Sequence, residues 1–133
     1  YRPPAEEPDQ EFQLRLTSGR VVYHYLSGNQ TRRIQFLRDM CPEPYVEVHP
    51  ETAQKYNINH EERVRLFTRR GEAVYQVKIT EAIRKDTVFV PYHWGHEKSI
   101  NLLTIGALDP ISRMPEFKAC AAQIEKLELK KVQ

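Results

Sequence analysis

Apolar and polar residues alternate from Phe12 to Thr17, with Phe12, Leu14 and Leu16 on one side, and this two-residue period predicts a half-buried strand. The same pattern predicts strands over Tyr45–Val48, over Arg63–Thr68 with Val64 and Leu66 inward, and over Ala73–Thr80 with Ala73, Tyr75, Val77 and Ile79 on one face. Two more are expected over Thr87–Val90 and Ala121–Leu127, and Arg69-Arg70-Gly71-Glu72 reads as a hairpin turn. The clearest helix is His49–Tyr56. Pro50 suits its first helical position and Glu51 its first turn, while Asn57 can take the left-handed conformation that stops it, with Ile58 folding back. Ile34, Leu37 and Met40 are spaced by three and predict a short helix over Thr31–Met40, capped by Thr31 and ended by Cys41-Pro42. Val21–Tyr25 reads as a strand or a loop.

Short strands, little helix and long polar loops predict a mainly β chain, a small barrel with short helical insertions. The stretch from Pro91 to Cys120 has no strong period, and loops of that length inside a compact domain are usually functional. Residues 1–11 are acidic and Pro-rich and are expected to be a linker with little core value, leaving one domain over 12–133. The first residue is not Met, so a piece of a longer polypeptide is expected. No apolar run approaches the ~20 residues of a membrane span, and no secretory leader is visible. A cytoplasmic setting follows as the expectation, with Cys41 and Cys120 as free thiols.

Charge changes the picture through its distribution. Between Phe12 and Arg38 there are five arginines (Arg15, Arg20, Arg32, Arg33, Arg38) and no Asp, Glu or Lys. Arginine without lysine points to planar, forked donors aimed at fixed oxyanions. The same stretch carries Thr17-Ser18-Gly19-Arg20 and Ser27-Gly28, whose glycines permit sharp turns and close backbone approach to a ligand. In the second polar region, His93 is a hydrogen-bond donor and Trp94 a packing or stacking surface. Asn101 either caps its own turn or offers paired donor and acceptor atoms to a heterocycle edge. Phe117 beside Lys118 gives a ring face and a cation.

Reactive chemistry is harder to find. His93 and His96 lack two further zinc ligands, no motif links a nucleophile to a base, and no GxGxxG or Walker-type loop occurs. The residues outside the arginine stretch are net acidic, which argues against nucleic acid as a partner. A chain that binds without reacting is expected to hold a cofactor whose chemistry is completed elsewhere.

Several segments in order carry a family resemblance: Thr17–Arg20, His24–Arg33, Glu43–Pro50, Arg69–Gly71, Val88–Trp94, Asn101–Thr104, Asp109–Ser112 and Pro115–Cys120. Together, over roughly residues 12–127, the chain resembles the C-terminal dinucleotide-binding domain of the molybdopterin oxidoreductases. That dimethyl-sulfoxide-reductase family includes assimilatory nitrate reductases and formate dehydrogenases. The resemblance implies a double-psi β-barrel that helps enclose the bis(molybdopterin guanine dinucleotide) cofactor of molybdenum or tungsten, with other domains of the same subunit as partners and no nucleic acid or membrane. It implies that Thr17, Ser18, Gly19 and Arg20 wrap the cofactor. His24, Ser27, Gly28, Thr31, Arg32 and Arg33 would contact pyrophosphate and pterin, and Asn101, Phe117 and Lys118 pterin or guanine edges. His93 belongs to the same implied cofactor-binding set.

In this family the metal ligand and any iron–sulfur cluster lie in earlier domains. Cys41 and Cys120 are therefore not expected to bind metal, and the isolated domain is expected neither to catalyse redox chemistry nor to hold the cofactor tightly. Val90–Gly95 and Asp109–Cys120 look more like nitrate reductases, while Gln30–Arg33 also occurs in formate-dehydrogenase-like members. Outside the resemblance, a stand-alone binding module and a small barrel enzyme such as a decarboxylase remain the rival readings.

Overall fold

The computed structural model describes residues 2–127. Six strands close into a barrel: β1 (Leu14–Gly19), β2 (Tyr45–Val48), β3 (Arg63–Phe67), β4 (Glu72–Ile79), β5 (Thr87–Pro91) and β6 (Cys120–Lys126), in the spatial order β1-β5-β2-β4-β3-β6. β1 runs parallel to β5 (Leu16 opposite Val88), and β2 runs parallel to β4 (Val46 opposite Val77). The other pairs are antiparallel, including Leu66 opposite both Ala73 and Ile124. The fold is the double-psi barrel expected from the sequence. Closure leaves no edge strand among the described residues to template association.

The alternation seen in the sequence sets the barrel interior. Leu16, Val46, Val48, Val64, Leu66, Val77 and Val88 are buried, and Tyr75 is the largest side chain among them. On β4, Ala73, Tyr75 and Val77 point inward as predicted, and Ile79 is half-buried. The last strand begins one residue early, at Cys120, and the domain's expected end at 133 lies outside the described residues. Burial raises the pKa of the Cys120 and Cys41 thiols, which keeps both free cysteines protonated and unreactive.

α2 (Pro50–Lys55) forms as predicted: the His49 ring accepts from the Glu51 N–H at 3.2 Å, Asn57 has φ 54°, and the Ile58 N–H returns to the Ala53 carbonyl at 2.9 Å. Of the two readings for residues 21–25, the loop is the one that forms. Two expectations need correction. The single helix over Thr31–Met40 splits into a 3-10 turn, Thr31–Arg33, and α1 (Gln35–Met40), because Ile34 adopts an extended conformation between them. Thr31 caps neither piece, since its hydroxyl is taken by His24. None of the three spaced apolar residues is buried: Ile34 and Met40 are exposed and Leu37 is half-buried, while Phe36, off that line, is 71% exposed.

Residues 2–11 contribute more than expected. Asp9 accepts from the Glu11 and Phe12 N–H groups at 2.9 Å, Phe12 is buried, and the Arg69 guanidinium lies 4.4 Å over the Phe12 ring. The stretch therefore lies against the barrel and fixes the entry to β1.

Candidate functional site

The parallel pairing of β1 with β5 decides where the site forms. Gly19 is opposite Pro91, so the carboxyl ends of both strands emerge side by side, and the Tyr92 N–H continues the ladder to the Gly19 carbonyl at 3.1 Å. Each strand then feeds a long loop. β6 runs antiparallel to β1 with Cys120 opposite Leu16, so residues 115–119 arrive at the same mouth. Gly19 is required by the wall itself: a Cβ there would lie 2.6 Å from the Phe89 ring.

Two buried histidines shape the first loop. His93 is fully buried; its Nε2 accepts from the Val21 N–H at 2.9 Å, so its Nδ1 carries the proton and donates to the Leu26 carbonyl at 2.5 Å. His24 has the opposite tautomer. Its Nε2 donates to the Cys41 carbonyl at 2.8 Å and its Nδ1 accepts from the Thr31 hydroxyl at 3.1 Å. Trp94 is buried edge-on to His24, with ring centroids 5.1 Å apart, so it packs the loop. Burial first, then the nearby His24, Arg20 and Arg32, lowers the His93 pKa against the opposing pull of the Leu26 carbonyl. The ring stays neutral, as its acceptor role demands. Gly28 sits at φ 74°, where a Cβ would meet the His93 carbonyl at 2.9 Å. The Arg32 N–H donates to the Gly28 carbonyl at 2.9 Å, which turns the Arg32 side chain back over the loop.

The mouth contains two adjoining cavities. One, of about 530 Å³, is lined by Ser18, Arg20, Tyr92, Ile100, Asn101, Phe117 and Lys118. The other, of about 500 Å³, is lined by Ser27, Arg32 and Trp94, by residues 95–99, and by the same Tyr92 and Asn101. The first cavity's rim is knitted from within. Ser18 donates its hydroxyl to the Phe117 carbonyl at 2.8 Å, Lys118 donates to the Ser18 carbonyl, and the Arg20 Nε donates to the Tyr92 hydroxyl at 2.7 Å. The Asn101 side-chain amide makes no hydrogen bond among the described residues; its turn is capped by the Ser99 hydroxyl instead. Arg20, Arg32 and Lys118 have no carboxylate partner among the described residues, and Arg32 reaches only the Ser27 carbonyl at 3.2 Å.

Of the residues singled out by sequence, Ser18, Arg20, Asn101, Phe117 and Lys118 share the first cavity, and Ser27 and Arg32 the second. His24, Gly28, Thr31 and His93 lie behind these walls as loop supports, and Gly19 holds the strand end. Thr17 sits on β1 and Arg33 on the exposed 3-10 turn, neither lining a cavity. Sequence reasoning missed Tyr92, which walls both cavities; its signal was its position one residue beyond a strand end. Among the described residues no three His, Cys, Asp or Glu side chains gather into a metal site.

The residues present fit a ligand with phosphates and a flat ring. Among the described residues Arg20, Arg32 and Lys118 form no ion pair and the Asn101 amide uses neither its donor nor its acceptor, and the rings of Tyr92 and Phe117 supply faces beside them. His24 and His93 have both ring nitrogens engaged with the loops, so neither is free to act as a base at the mouth.

The comparisons with known proteins agree with this geometry. The model of the molydopterin dinucleotide binding domain matches residues 14–121. The chain is 43% identical over 127 residues to the F420-dependent formate dehydrogenase 1 subunit alpha of Methanococcus maripaludis, covering 96% of this chain and 19% of that protein. It is 46% identical over 121 residues to the assimilatory nitrate reductase catalytic subunit of Bacillus subtilis, covering 91% of this chain and 17% of that one. The chain thus spans under a fifth of the length of these relatives. Acetylene hydratase from Pelobacter acetylenicus has the same fold over 89% of this chain and 19% of its own, with TM-score 0.79 at 22% identity.

Proposed function

The chain belongs to the molydopterin dinucleotide binding domain family, and from that premise we propose that it closes over molybdopterin guanine dinucleotide within the catalytic subunit of an oxidoreductase. The observation that carries this reading is the pair of adjoining cavities sharing Tyr92 and Asn101, with Arg20, Arg32 and Lys118 in no ion pair among the described residues, although Glu97 also lines the second cavity. The arginine forks and the lysine neutralise the diphosphate, and the Asn101 amide reads a heterocycle edge. His93 and His24 hold the loop that carries Arg32. When bound, the cofactor supplies the molybdenum or tungsten redox chemistry; this chain supplies binding, orientation and exclusion of water.

Within that class we favour an assimilatory nitrate reductase, supported by the 46% identity to the Bacillus subtilis subunit and by the Val90–Gly95 and Asp109–Cys120 segments. A formate dehydrogenase is the second reading, favoured by 43% identity over a longer aligned stretch. A cytoplasmic setting goes with either reading, in keeping with the two free thiols. The test uses the natural full-length polypeptide. Metal and guanine nucleotide per chain are counted after acid release, and viologen-linked turnover is measured with nitrate and with formate. Guanine nucleotide in stoichiometric ratio to metal, with nitrate turnover, is the expected result. Turnover with formate alone selects the second reading, and absence of guanine nucleotide rejects both.

A further inference from the structure

The hairpin tip and the acidic N-terminal stretch meet on the outside of the first cavity. Glu6 lies in a fork of charges: its Oε1 accepts from Arg69 and Arg70 at 3.0 and 3.1 Å, and its Oε2 accepts from Arg70 at 2.9 Å and from the Ala121 N–H at 3.1 Å. Arg70 then uses its remaining nitrogen, Nε, to donate to the Leu103 carbonyl at 3.1 Å. That carbonyl also accepts from the Thr68 hydroxyl at 3.0 Å, and Leu103 itself is fully buried. The neighbouring Gly71 leaves no room for a side chain, since a Cβ there would lie 2.8 Å from the Leu102 carbonyl. The turn bearing Asn101 is thus seated on the hairpin tip, and Glu6 fixes that tip. One residue earlier, the Ala5 N–H donates to the Glu116 carboxylate at 2.9 Å, beside Phe117 and Lys118 on the cavity's other wall.

We propose that residues 5–6 form a positioning strap that sets both walls of the cavity, with Glu6 acting through Arg70 and Leu103 to hold Asn101 against its ligand. The role is positional: Glu6 touches no cavity and makes its effect felt only through the turn. Burial works to raise the Glu6 pKa, but Arg70, the Ala121 N–H and Arg69 outweigh it and leave the group below its ordinary value, so the strap is charged at neutral pH. Loss of that charge frees Arg70 to leave the Leu103 carbonyl, and the Asn101 turn loses its seat.

This inference rests on the cofactor reading above, and a double-mutant cycle separates the two. In the natural full-length polypeptide loaded with cofactor, the rate of guanine nucleotide loss after dilution is measured for Glu6→Gln, Asn101→Ala and the double variant. Each single change is expected to speed loss by about tenfold, and the double by little more than either, because both act on one contact. A general weakening of the fold would instead multiply the two effects. Multiplied effects, or an unchanged rate in Glu6→Gln beside a faster one in Asn101→Ala, overturn the strap and leave the cofactor reading standing. An unchanged rate in Asn101→Ala also overturns the strap, since there is then no contact at Asn101 for it to hold; the cofactor reading fails only if no guanine nucleotide is bound at the outset. Arg70→Lys keeps the test decisive if Glu6→Gln does not fold: a lysine cannot bind both carboxylate oxygens and the Leu103 carbonyl at once, so it must show the same non-additivity with Asn101→Ala.

Discussion

In the barrel wall arginines are spent on carboxylates, whereas at the mouth they are left for something else. Arg65 on β3 holds Glu72 and Glu125, each at 2.7 Å, and Arg70 at the hairpin tip is clasped by Glu6. Arg20 and Arg32 lie on a stretch from Phe12 to Arg38 without an acidic residue, and they reach only a phenol and a carbonyl. The wall is held by buried apolar side chains and closed ladders; the mouth is held by two histidines buried beneath its loops. One region is therefore self-sufficient, and the other is preorganised for an anion that the chain itself does not provide.

The sharpest way to break this contrast is to strike each region in turn. Leu66→Ala, at a fully buried wall position, is expected to destabilise by about 2–5 kcal/mol, read as a lower unfolding midpoint in urea. Next comes Arg32→Ala, expected to weaken cofactor retention by about 1.5–3 kcal/mol while leaving that midpoint in place. Full cofactor occupancy in this variant would erase the distinction drawn above. Gly28→Ala forces a side chain into the left-handed region, a strain of about 1–2 kcal/mol, and drives its Cβ toward the His93 carbonyl. It should lower retention less than Arg32→Ala and leave the wall strands' amide exchange unchanged.

The smallest effect is one of pH. The His93 pKa is lowered in the folded loop, so the unfolded loop binds the proton more readily. Loop stability is complete above the ordinary histidine range and is lost as pH falls through it toward the depressed folded value. Protonation also removes the acceptor used by the Val21 N–H. Protection of the Val21 amide, corrected for the intrinsic pH dependence of exchange, should therefore fall on acidification before protection in β3 and β4 does. Equal protection of Val21 at neutral and mildly acid pH would contradict the role given to His93.

The sequence made the wall legible because its physics is local. Alternation on β4, Pro50 at the start of α2 and the left-handed Asn57 each act within a few residues. The mouth was legible in its residue types, since unspent arginines and hinge glycines show in a string, and Ser18, Arg20, Asn101, Phe117 and Lys118 do converge. What stayed hidden depends on distant partners. Glu6 looks like one more acid in a linker until Arg70 and Ala121, 64 and 115 residues away, are beside it. Thr31 looks like a helix cap until His24 claims its hydroxyl, and the spacing of Ile34, Leu37 and Met40 carries no sign that none of the three is buried. The resemblance puts His93 among the cofactor-binding residues, and in the structure both its ring nitrogens are engaged behind the wall.

The most direct measurement is a structure of the natural full-length polypeptide with its cofactor bound. The account predicts a dinucleotide whose phosphates and ring lie against Arg20, Arg32, Asn101 and Lys118, bridging the two cavities across Tyr92. A cofactor located elsewhere in the molecule, with these four side chains in contact only with protein or solvent, would contradict it.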